Sequence, residues 1–166
     1  LAGTGVSTDG ATNGGAARIQ WNGSLFTVDA GFENHPVTYV SWYGATAFCN
    51  YYSYRLPTEW EWHAVADYNG TFFYGCGTDI NNTIANYRGT IHPNGTTDVG
   101  SLGSYGYGMA DMAGNVWEWT SSVYNSVGYY TRGGDWNRVM SYCSISFRAT
   151  EQTTTTRYDI GFRVCR

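Results

Sequence analysis

The residues in this chain with the chemistry to bind a metal or move a proton are four cysteines, three histidines and thirteen carboxylates. Cys49, Cys76, Cys143 and Cys165 show no CxxC spacing, which excludes a zinc ribbon or a thioredoxin-type motif. His35, His63 and His92 fall at no metal-ligand spacing, and the chain holds neither a GxSxG elbow nor a P-loop. His63 lies within a helical pattern, where packing or solvation is the ordinary role. His35 and His92 each precede a proline and belong to extended loop segments. An even cysteine count in a chain poor in charge and rich in Tyr, Ser and Thr fits a secreted or surface protein; four free thiols in a reducing cell is the alternative.

The 166 residues have the length of one domain. Charged residues make up 13%, about half the usual share. All nine basic residues are arginine. With a net charge of -4, the chain lacks the basic footprint that nucleic acid or an anionic membrane would require. No apolar run is long enough for a spanning helix. The chain begins without Met and without a charged-then-apolar leader, as a processed or trimmed product would.

The elements that must position these side chains are short. Residues 1–17 are Gly, Ala, Thr and Ser without periodicity and read as a flexible N-terminal arm, leaving 18–166 as the domain. Ile19, Trp21, Leu25 and Phe26 flank an Asn22-Gly23 turn and read as two short strands. A first helix is expected over 41–51, with Ser41 as its cap and Ala45, Phe48 and Cys49 on one face. A second follows Pro57: Thr58 and Glu61 form a capping box, and Trp62, Val65 and Ala66 continue the stripe to Tyr68. Beyond Gly70 long loops prevail, until β-rich runs at Val116–Thr120, Gly128–Arg132, Cys143–Arg148 and Ile160–Val164. In the first of these runs, Trp117 and Trp119 are expected to face two different layers. The pattern is α+β: two helices on a small antiparallel sheet.

Four segments, in this order, carry a resemblance. They are His35-Pro36-Val37 through Val40-Ser41-Trp42, then Arg55-Leu56-Pro57-Thr58-Glu59-Trp60-Glu61-Trp62, then Gly106 through Gly114-Asn115-Val116-Trp117-Glu118-Trp119. The fourth is Arg132-Gly133-Gly134-Asp135-Trp136, closing at Gly161-Phe162-Arg163. Over residues 20–165 the chain resembles the sulfatase-modifying-factor domain, the domain of the formylglycine-generating enzyme. The resemblance implies a C-type-lectin-like fold with extensive loops, and most motif residues are expected to carry structure.

In catalytic members of that family two cysteines after the Gly-Gly pair bind copper(I), a soft ion that prefers thiolates. Counted from the glycines, Cys143 stands at the second of these positions and Arg138 at the first. Arginine neither ligates copper nor loses its charge. Asp135 stands where catalytic members have Ser. The resemblance therefore implies no copper and no formylglycine generation, with an oxidase or another enzyme of this family as the alternative. The related iron sulfoxide synthases use histidines held mostly by a helical partner domain, which the three histidines here do not supply.

The same domain serves without chemistry in the variable proteins of diversity-generating retroelements, where a randomised C-terminal segment is the binding surface. Their pattern resembles Arg132 to Trp136, then Cys143 to Arg148, then a loop to Gly161-Phe162-Arg163. Adenine-directed mutation of AAY codons reaches most residues between Asn137 and Ile160, but not Met140, Glu151 or Gln152. The resemblance implies a non-catalytic receptor-type protein, extracellular or displayed on a viral or cellular surface, whose partner is a protein or other surface ligand. The expected binding face comprises Asn137, Arg138, Val139, Tyr142, Ser144, Ser146, Thr150, Thr153, Thr154, Thr155, Thr156, Arg157, Tyr158 and Asp159. Strand alternation puts Cys143, Ile145 and Phe147 in the core and Ser144, Ser146 and Arg148 outside. Arg138, Tyr142 and Tyr158 are the expected energetic centres.

Two further expectations follow from the resemblance. Asp111, Gly114, Val116 and Glu118 match the family's calcium loop, whose side-chain and carbonyl oxygens suit that hard ion. The family's other calcium loop has no counterpart, because the chain from Asn86 to Val99 is too short. Cys49 and Cys165 stand where the enzyme family bridges helix to strand, but Cys165 lies one place late, which reverses a strand side chain's face and leaves the pairing open.

Overall fold

The computed structural model of the chain describes residues 17–88 and 95–166; the expected arm up to Ala16, and His92, lie outside them. Two antiparallel strands, β1 (Ile19–Trp21) and β2 (Phe26–Val28), flank the Asn22-Gly23 turn as expected. The first helix, α1, spans Trp42–Tyr51, and Ser41 caps it by accepting from the Gly44 amide. The second, α2, spans Glu59–Ala66 and carries the expected capping box between Thr58 and Glu61. It ends two residues before Tyr68, which instead opens a short 3-10 turn. A small hairpin of β3 (Ser104–Tyr105) and β4 (Met109–Ala110) lies between the helices and the main sheet in sequence.

The main sheet has four strands, β5 (Trp117–Asn125), β6 (Gly128–Arg132), β7 (Ala149–Gln152) and β8 (Ile160–Phe162), in the order β7-β6-β5-β8. Only the β5–β8 pair is parallel; β6 runs antiparallel to both its neighbours. The architecture is α+β and C-type-lectin-like, as the motif order implied.

Trp117 and Trp119 do not face two layers. Residues two apart on a strand share a face, and both indoles lie in one cluster with Ala45, Cys49, Leu56 and Ile160, between α1 and the sheet. Glu118 points the other way, toward α2, where it accepts from the Trp62 indole at 2.6 Å. Phe48, expected on the buried face of α1, is 45% exposed and rests edge-on against Phe162.

The expected strand over Cys143–Arg148 is absent. Met140–Cys143 is a 3-10 turn, and a second turn follows in which the Phe147 amide donates to the Ser144 carbonyl. The Ser144 hydroxyl donates to the Ser141 carbonyl at 3.2 Å, a local bond of the kind that competes with ladder pairing. The segment pairs instead with the chain at Phe73 and Tyr74. Cys143 and Ile145 are buried as expected, but so is Ser144, while Ser146 and Arg148 are exposed. Regular strand begins only at Ala149, so Thr150 is a strand residue rather than a loop residue.

Two glycines of the motifs are required by close approach. A Cβ on Gly134, which sits at φ 77°, would lie 2.7 Å from the Cys143 sulfur, and one on Gly161 would lie 2.6 Å from the Val37 carbonyl oxygen.

Candidate functional site

The chain leaves the sheet after Arg132, passes through it again in β7 (Ala149–Gln152) and returns at Ile160, and the two stretches expected to form a binding face lie along these excursions. Asp135 starts the first: its Oδ1 accepts from the Asn137 amide at 2.6 Å and its carbonyl from the Arg138 amide at 3.2 Å, which turns the chain outward. Arg138, Val139, Met140 and Ser141 are then exposed, and the 3-10 turn returns the chain to buried Cys143. The second stretch turns at Gln152 and Thr155, and the Arg157 carbonyl ties it to the Tyr39 amide at 2.9 Å.

The fold brings the stretches together. The Asn137 side-chain amide donates to the Tyr158 hydroxyl at 3.0 Å, and the Tyr158 ring packs 5.6 Å from that of Trp136. The Arg138 guanidinium stands 5.4 Å from the centre of the Tyr142 ring. Thr154 and Thr156 are exposed, while Thr153, Thr155, Arg157 and Tyr158 are partly buried. Two residues expected on the face lie beneath it instead. Ser144 is buried against the 73–74 segment, and Asp159, 1% exposed, is held by both arms of the Arg157 guanidinium. Arg157 also pairs with Glu151 at 2.5 Å, so much of its charge is spent inside the chain.

Below the face, Asp135 and Asp159 form a buried pair. Burial and the neighbouring Asp159 charge push the Asp135 carboxyl up to about 6. Asp135 is 0% exposed and its Oδ2 has no hydrogen-bond partner; the Arg138 Nε is 3.9 Å away. The two residues expected at the serine and first-cysteine positions therefore face each other: the Asp135 carboxylate and the Arg138 guanidinium form a long ion pair. Cys143 has a second thiol, Cys76, in its apolar cluster. Burial pushes Cys143 up to about 12 and Cys76 up to about 11, so both carry their protons at neutral pH. The ligand pair expected of the catalytic members is incomplete, since Arg138 supplies no thiolate beside Cys143.

The expected calcium loop is coiled as a cation loop would be, with Asp111, Gly114 and Asn115 all at positive φ. Burial raises the Asp111 carboxyl, whose Oδ2 accepts from the Gly100 amide at 2.8 Å. Glu118 is otherwise engaged. Its two oxygens take the Arg163 guanidinium at 2.5 Å each, and one also takes the Trp62 indole. One of the two anionic ligands is thus neutralised within the chain, and the donors do not fit a calcium site built on two carboxylates.

The remaining motif charges are likewise structural. Glu59, 3% exposed, binds Arg148 with both oxygens and lies 3.5 Å from Arg132. Arg55 pairs with Glu61 through two hydrogen bonds. His63 contacts the Arg132 guanidinium at 3.2 Å; His35 contacts Thr96 at 2.7 Å and Asp98 at 3.1 Å. Cys49 and Cys165 are free thiols, and the Cys165 sulfur donates to the Arg55 carbonyl. One surface residue escaped the sequence reading: Arg88, which is exposed beside Asn137 and Arg138 and carries no motif.

No helix among the described residues is long and apolar enough to cross a membrane. Among known proteins, the chain is 38% identical over 110 residues to serine/threonine-protein kinase pkn1 of Chlamydia caviae, a match covering 65% of this chain and 17% of the kinase. It is 31% identical over 121 residues to the formylglycine-generating enzyme of Mus musculus, covering 57% of this chain and 30% of the enzyme. The chain thus spans less than a third of either relative. Treponema denticola variable protein 1 shares the fold, with a TM-score of 0.73 at 22% identity over 89% of this chain and 76% of that one. The sulfatase-modifying factor enzyme 1-like domain family matches residues 11–166, and the chain belongs to that family.

Proposed function

We propose that this chain is a non-catalytic binding domain that presents Asn137–Tyr142 and Thr153–Tyr158 as one recognition surface, displayed outside a cell or virion. One observation carries the reading: the position that would supply a copper thiolate holds Arg138, which leans on buried Asp135 and stands at the edge of the surface. The fold shared with a variable protein supports it. So does the composition of the surface, since Tyr, Thr and Asn give contact area and adaptable hydrogen bonds at low entropic cost. In the same reading Arg163, rather than calcium, holds the loop at Glu118.

The test pans one random dodecapeptide display library on the native chain and on a variant with the exposed Val139, Ser141, Thr154 and Thr156 replaced by other small polar residues. The variant keeps its melting temperature, because exposed substitutions cost under about 0.5 kcal/mol each, and it recovers a different peptide set. Identical sets would overturn the surface assignment. Stoichiometric copper(I) binding lost on Cys143→Ser, with oxidation of a cysteine peptide, would establish the enzyme instead.

A further inference from the structure

The chain carries a net charge of -4, and most of its arginines are closely matched by carboxylates. Arg55 meets Glu61, Arg132 and Arg148 meet Glu59, Arg157 meets Asp159 and Arg163 meets Glu118. Two guanidiniums beside the proposed surface are different. Arg88 has no carboxylate within ion-pair distance among the described residues; its Nη2 donates at 3.4 Å to the Asn137 side-chain oxygen. Arg138 has only Asp135, at 3.9 Å and without a hydrogen bond, and its side chain is 44% exposed. The backbone joins them, the Arg88 amide donating to the Arg138 carbonyl at 2.8 Å. In an acidic molecule, under-neutralised cations on adjacent strands of chain form a local attraction for an anion.

Resting on the binding reading above, we infer that Arg88 and Arg138 receive an acidic segment of a partner protein, an Asp or Glu carboxylate flanked by an apolar side chain. Guanidinium forks match carboxylates in geometry and form the stronger, charge-assisted bonds. The apolar neighbour is met by Val139 and Met140, which are 45% and 50% exposed beside Arg138. A free phosphate dianion has no use for that apolar rim, and it would stand above the buried carboxylates of Asp135 and Asp159. A single carboxylate carries half that charge and meets less repulsion.

The experiment uses the same dodecapeptide library on the full chain and on an Arg88→Gln/Arg138→Gln chain. Peptides recovered on the native chain carry Asp or Glu beside Leu, Ile, Phe or Met. By fluorescence anisotropy they bind the double variant at least about tenfold more weakly, as loss of charge-assisted bonds requires. Their affinity falls with added salt, and inorganic phosphate at equal ionic strength competes no better than chloride. Peptides without acidic bias, acidic peptides indifferent to the double variant, or displacement by micromolar phosphate would each overturn the inference. Such results leave the binding surface itself intact if loop replacement still changes the recovered set; Arg88 lies outside the replaced loops, so the two failures are separable.

Discussion

Two pairs of buried carboxylates divide this molecule. Glu59 and Glu118, at the junction of α2 with the sheet, are saturated: Glu59 takes Arg148 and approaches Arg132, and Glu118 takes Arg163 and the Trp62 indole. Asp135 and Asp159 sit at the same depth beneath the loops, but their compensation is uneven. Asp159 has Arg157, whereas Asp135 has an oxygen with no hydrogen bond and a distant, half-exposed arginine. A carboxylate that fixes a fold must be paired on every side, since an uncompensated buried charge costs several kcal/mol. One beneath the proposed recognition surface is paired only by what the loops supply. The frame is closed electrostatically and the surface is not.

The largest effect expected from this contrast is at the frame. Arg163→Met leaves Glu118 buried without its counter-ion, and breaking such a pair costs about 3–5 kcal/mol. That is a fall in melting temperature of roughly 8–15 °C for a domain of this size. Adding Glu118→Gln recovers part of the loss, because no charge is then left unpaired. Thermal unfolding of the two single variants and the double one checks this; additive losses would show that the pair is not coupled.

Asp135→Asn moves stability the other way. Burial raises the folded carboxyl to about 6, above its unfolded value. A group raised in this way contributes stability that is fully present below the unfolded value and lost as pH rises to the folded one. Asp135 therefore contributes a loss of stability between about pH 4 and pH 6, of up to about 3 kcal/mol on the scale of 1.36 kcal/mol per unit. The asparagine oxygen still accepts from the Asn137 amide, so the variant lacks that decline and is more stable than the native chain at pH 7. Urea unfolding at pH 4.5 and pH 7 measures both limbs. A native chain more stable at pH 7 than at pH 4.5, with Asp135→Asn no better, would make Asp135 part of the frame.

What the sequence disclosed divides along the same line. The capping box at Thr58 and Glu61 and the hairpin at Asn22-Gly23 were legible because their chemistry is local, settled within three or four residues. The α+β class is legible from the order of helical and β-rich runs, and the anchors of the loops from motif order. The pairing of Arg148 with Glu59 spans 89 positions and that of Arg163 with Glu118 spans 45, distances over which a sequence carries no register. The apolar alternation Cys143, Ile145, Phe147 suggested a strand, yet serine hydroxyls and bridges to Phe73 and Tyr74 satisfy it in turns. Strand alternation puts Ser144 on the face, and the turns that replace the strand bury it; the polarity of Asp159 says nothing of its depth. Arg88 was missed because it meets Asn137 across 49 positions.

A much smaller effect is expected at the surface. Thr154→Ser and Thr156→Asn alter exposed side chains in the second loop and change stability by under about 0.5 kcal/mol each, while shifting which library peptides are recovered. A loss of more than about 1 kcal/mol would move these threonines from the surface to the frame.

The smallest effect separates an internal cation from an external one. Because Arg163 already neutralises Glu118, the native melting temperature is indifferent to chelator and to millimolar calcium. A site bound at a hundredfold its dissociation constant would add about 2.7 kcal/mol, several degrees here, so indifference is a measurable result. The informative chain is Arg163→Met. It frees Glu118 beside Asp111 and the turn carbonyls, restoring two anionic ligands to a loop whose positive-φ coil is already formed. Calcium then raises its melting temperature and magnesium does so less, since the flexible oxygen set suits the larger ion. A native chain destabilised by chelator would show that Glu118 serves guanidinium and calcium together. An Arg163→Met chain blind to calcium would show that the guanidinium holds the loop without having replaced an ion.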